Sequence, residues 1–98
     1  MARSNENAFD VFNGTNQNLT LSTTHAVTST AMSADCRLIR VATNVDCYIA
    51  VGAAPTATTT DPVLPAGAVE YIIVSGGDKF SAEAVAGTGV CSVTQVSK

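Results

Sequence analysis

Apolar and polar side chains alternate with a period of two through much of this chain, and convincing helical spacing appears nowhere. The clearest alternation runs from 37 to 43. Leu38, Arg40 and Ala42 fall on one face, Ile39, Val41 and Thr43 on the other. Arg40 marks its face as the outer one, so Ile39 and Val41 are predicted to point inward. Asn44 and Val45 read as a turn. Cys47, Ile49 and Val51 then form the inner face of the next strand, which turns Tyr48 outward or toward a neighbouring molecule. Residues 79–85 place Phe80, Ala82 and Ala84 on one side and Lys79, Ser81 and Glu83 on the other. Residues 69–75 are nearly continuously apolar, with Tyr71 and Ile73 opposing Ile72 and Val74. A strand apolar on both faces is either central in its sheet or half buried in an oligomer. Shorter strands are predicted at 19–22 and 25–30, and a last one at 90–96.

Turn residues punctuate these runs. Residues 31–35 form a loop, and 76–78 and 86–89 are glycine turns. Residues 64–67 (LPAG) suit a type II turn with Pro65 at its first corner and Gly67 just beyond. The long connection, 52–68, has no periodicity and is stiffened by Pro55, Pro62 and Pro65. A structureless stretch of that length in a small domain is expected to be a functional or interface loop. Residues 1–17 read as a polar N-terminal arm with one apolar patch at Phe9, Val11 and Phe12, and 18–98 as the folded domain. Seven to eight short antiparallel strands separated by turns predict an all-β fold, a small β-sandwich or jelly-roll-like single domain.

Composition sharpens this picture. Much of the 46% apolar fraction is alanine, which contributes little on burial, so the core is thin. A thin core suits a module that completes its burial against copies of itself or a partner. The net charge is −3, and the five basic residues are scattered, which argues against nucleic acid as a partner. Residues 1–7 are polar with no apolar run behind them, so neither a secretory signal nor a membrane span is expected, and synthesis is assigned to a cytoplasm. Cys36, Cys47 and Cys91 lack the close spacing of a zinc or thioredoxin motif. They read as small buried hydrophobes, and a cytoplasmic origin weighs against a disulfide.

Candidate chemistry is sparse. His25 is the single histidine, with no cysteine or carboxylate at chelating spacing. The carboxylates Asp35, Asp46, Asp61, Glu70, Asp78 and Glu83 are dispersed, and several fall at turn corners, where aspartate bonds local backbone. Tyr48 and Tyr71 could together offer an aromatic platform for sugars. The expectation is a binding surface with no catalytic residues, no metal and no cofactor.

Several short motifs in order carry a resemblance: 38–41 (LIRV), 46–52 (DCYIAVG), 55–58 (PTAT), 64–67 (LPAG), Glu70 with Tyr71, 77–79 (GDK), 87–89 (GTG), and Val93 with Thr94. Over about its last sixty residues the chain resembles a family of small virion proteins of tailed bacteriophages. The resemblance implies a β-sandwich that decorates and cements a capsid by binding the major capsid protein, located at the capsid surface. It also implies a homo-oligomer, with a trimer favoured. The residues expected at an oligomer or capsid interface are Phe9, Val11, Phe12, Tyr48, Pro55, Thr58, Pro62 and Tyr71. The alternatives are a head-fibre, tail or baseplate component of the same virion, or a glycan-binding module for a host surface.

Overall fold

The computed structural model describes residues 16–28 and 30–96. Phe9, Val11 and Phe12 lie outside them. Eight strands are present: β1 (Asn16–Leu21), β2 (Ala26–Val27), β3 (Leu38–Thr43), β4 (Cys47–Gly52), β5 (Val63–Leu64), β6 (Val69–Ile73), β7 (Lys79–Ala84) and β8 (Gly89–Gln95). They form two four-stranded antiparallel sheets, ordered β1-β8-β3-β6 and β2-β7-β4-β5. The pairing follows one rule. β1 pairs with β8, β2 with β7, β3 with β6 and β4 with β5. The chain is thus one long nested hairpin rolled into two layers, the jelly-roll form of the β-sandwich.

The layers share a single core. Leu19, Leu21, Ile39, Val41, Cys91 and Val93 of the first sheet meet Cys47, Leu64, Phe80, Ala82 and Ala84 of the second. Phe80 is the largest fully buried side chain. The alternation in β3 is as expected, with Ile39, Val41 and Thr43 all buried. Thr43 sits at a corner, so its hydroxyl is buried usefully: it donates to the Val45 carbonyl at 2.7 Å and accepts from the Val45 N–H at 3.2 Å. The short link 44–46 then carries the chain from the first sheet into β4 of the second.

Several sequence expectations need correction. β6 is an edge strand, which removes the central-strand reading. Val51 faces the same side as Cys47 yet is exposed, although an inward position was expected. The predicted strand at 25–30 shrinks to Ala26–Val27. Beyond it the Thr28 side chain takes over a backbone role, its Oγ1 accepting from the Phe80 N–H at 3.1 Å. The long connection contains β5, so its strandless part is 53–62. The type II-like turn lies one residue later than predicted: the Ala68 N–H donates to the Pro65 carbonyl, and Gly67 holds the positive φ of +80° at the third position.

Candidate contact surface

The two outer faces differ. On the second sheet, the strandless segment 53–62 lies over β7 as a strap. Ala57 is buried, and its N–H donates to the Oγ of fully buried Ser81 at 3.0 Å. The strap holds its own shape through Asp61, whose carboxylate accepts from the Thr58 N–H at 2.8 Å while its N–H donates to the Thr58 carbonyl at 3.0 Å. Strand alternation had placed Ser81 on an outer, polar face. That reading of the strand was right, but the strap closes the face.

The outer face of the first sheet can be mapped from the strand registers. One row crosses it as Asn16, Thr94, Arg40, Tyr71, and the next as Asn18, Ser92, Ala42, Val69; Leu38 stands beside Ile73 at the border. The β1–β8 half is polar and internally bonded. Asn16 Oδ1 accepts from Ser92 Oγ at 2.8 Å and from Thr94 Oγ1 at 2.6 Å, and Asn16 Nδ2 donates to Asn18 Oδ1 at 3.2 Å. The β3–β6 half is mainly apolar, with Arg40 opposite Tyr71 as its charged member. Val69, Tyr71 and Ile73 all project outward, and Ile73 is 82% exposed. Those three side chains line one face of the strand, and the largest apolar patch on a monomer is often functional.

The interface residues expected from sequence do not form one surface. Tyr48, Pro55, Thr58 and Pro62 belong to the second sheet and its strap, with Tyr48 and Pro55 half-buried and Thr58 and Pro62 exposed. Tyr71 lies on the outer face of the other sheet. Tyr48 and Tyr71 therefore point away from each other on opposite layers and cannot share a platform. Val69 and Ile73, absent from the expected set, are the neighbours of Tyr71. The apolar run 69–74 was the signal for them, once the strand is known to lie at an edge.

Asp61 and Asp78 bond local backbone as expected of turn aspartates, whereas Asp46 bonds backbone twenty residues away. Asp46 Oδ1 accepts from the Ala66 N–H at 2.7 Å, and Asp78 Oδ2 from the Ser75 N–H at 3.0 Å. His25 is exposed at the start of β2. Among the described residues no group of three or more metal-ligating side chains converges, and no buried side-chain polar atom lacks a partner. No helix among them is long and apolar enough to cross a membrane. Cys36, Cys47 and Cys91 are free thiols, all buried. Burial pushes the Cys36 thiol up. Cys47 and Cys91 share a hydrogen bond, which pulls Cys47 down to about 7 against the effect of burial. The same bond, with burial, pushes Cys91 up.

Compared with protein-family models, with curated proteins and with solved structures, the chain matches none.

Proposed function

We propose that this protein is a non-enzymatic structural component of a bacteriophage virion, which decorates and stabilises the capsid by binding the major capsid protein. The observation that carries the reading is the exposed apolar outer face of β6, set on a sheet edge beside a self-bonded polar lattice. An apolar patch with a polar rim is the form protein–protein contact surfaces take. The fold is compatible with the role, since jelly rolls build viral shells, although the same fold also serves lectins and enzymes. A homo-oligomer, a trimer by preference, would bring several such patches to the shell at once. The lattice then holds through many modest contacts, because linked sites multiply avidity without any new contact.

The test is reconstitution on shells lacking this chain. Such shells should rupture at a lower temperature than complete particles, and adding the protein back should restore them. Ile73→Asp should abolish binding to the shells while leaving the protein's own melting temperature unchanged, because Ile73 makes little use of the core. Full binding by that variant, or no change in rupture temperature on adding the protein, refutes the reading. The solution mass decides between monomer and trimer.

A further inference from the structure

We propose that Cys47 and Cys91 form a modification site, at which a peroxide converts the pair to a disulfide that joins the two sheets through the core. The inference goes beyond the contact reading and does not depend on it. Cys47 opens β4 in the second sheet, and Cys91 lies on β8 in the first. Their approach follows from the corner: Thr43 is the registered partner of Cys91, and only 44–46 separate Thr43 from Cys47. Both thiols are fully buried in the shared core, where Cys91 is the hydrogen-bond partner that pulls Cys47 down. The corner is held firmly. Asn44 Oδ1 accepts from the Val90 N–H at 2.8 Å, the Asn44 N–H donates to the Val90 carbonyl at 3.2 Å, and the Val85 N–H donates to the Asp46 carbonyl at 3.0 Å. Cys36 is excluded. It precedes the opposite end of β3, roughly 20 Å from the Thr43 end, and its thiol donates to the Leu38 carbonyl at 3.4 Å.

The chemistry balances with one equivalent of hydrogen peroxide. The Cys47 thiolate attacks one peroxide oxygen, the O–O bond breaks, and the departing hydroxide takes up the proton that Cys47 gave, leaving a sulfenic acid and water. The Cys91 sulfur then attacks the Cys47 sulfur. The S–S bond forms, the S–O bond breaks, and the Cys91 proton leaves with the hydroxide as a second water. Two thiols are oxidised by two electrons and one peroxide is reduced.

The experiment treats the folded, reduced full-length chain with hydrogen peroxide. The intact mass should fall by two hydrogens. Proteolysis should then yield a joined pair of peptides carrying Cys47 and Cys91, with Cys36 still open to alkylation after unfolding. The bridge closes a loop of roughly 45 residues, so the melting temperature should rise by more than about 10 °C and return on reduction. Cys36→Ser should keep every one of these responses, and Cys91→Ser should lose them. Mapping on the unmutated chain decides the matter even where Cys91→Ser fails to fold. A link involving Cys36, oxygen adducts on Cys47 without a link, or thiols that all stay alkylatable would each overturn the proposal.

Discussion

Ser81→Ala tests whether the strap is part of the folded structure. In the native chain the Ala57 N–H has one acceptor, the Ser81 hydroxyl, and both groups are buried. Removing the hydroxyl leaves two outcomes. The strap stays down with an unsatisfied buried amide, which costs about 1–3 kcal/mol. Alternatively it lifts and regains water, which forfeits the burial of one alanine methyl, about 1 kcal/mol, together with what else packs there. The cheaper route wins, so the expected loss is about 1–2 kcal/mol, expressed as local opening. For a domain of this size that lowers the melting temperature by roughly 5–15 °C. Amide exchange at Ala57 should accelerate by about tenfold for each 1.4 kcal/mol lost, and proteolysis within 53–62 should become easier. Asp61→Ala is the control, because its bond to Thr58 is exposed and water can replace it, at a cost below about 1 kcal/mol. If Ser81→Ala melts like the parent chain and Ala57 exchanges no faster, the bond is not a latch and the reasoning fails.

Four further perturbations follow from packing and titration. Gly76→Ala should cost about 1–3 kcal/mol in thermal melts, because a Cβ there would lie 2.5 Å from the Ala34 carbonyl oxygen and would push the 75–78 turn off the neighbouring loop. Gly52→Ala, where a Cβ meets nothing within 4 Å, should be neutral or slightly stabilising in the same assay. Phe80→Ala should cost about 3–5 kcal/mol, a large share of the roughly 5–15 kcal/mol such a domain has, and denaturant titration should find it largely unfolded by mild urea. Stability should also fall as pH rises above the ordinary thiol value of 9.0. Cys36 and Cys91 are raised in the folded state, so there the unfolded chain loses its thiol protons first and is favoured. Cys47, lowered to about 7, contributes stability in the opposite sense, lost as pH falls through its folded value. Cys36→Ser should flatten the alkaline slope in urea melts run from pH 8 to 10.

Local patterns in the chain were enough to locate most strands, because side-chain alternation is a local property. Ile39, Val41, Phe80, Ala82 and Ala84 are buried as their spacing requires. What the pattern could not carry was nonlocal. The apolar run 69–74 fits a central strand or an interface strand equally well, and only the sheet order places it at an edge. Ser81 looked like a surface residue because nothing near it in the chain announces the strap. Val63 and Leu64 were absorbed into a loop because two residues hold too little alternation to register. The β6 surface is half legible: Tyr71 stands out as an aromatic, while for Val69 and Ile73 the pattern leaves a central and an interface position open.

The nested pairing has a consequence for how the protein is made. β8 lies between β1 and β3, so the first sheet lacks one of its two central strands until residues 89–95 have been synthesised. At about 5–20 residues per second, β1 waits several seconds on the ribosome for a partner. Ile39 and Val41 stay uncovered for much of that interval. Closure of the first sheet therefore waits for residues 89–95. Truncation before residue 89 should leave a product that is open and prone to stick.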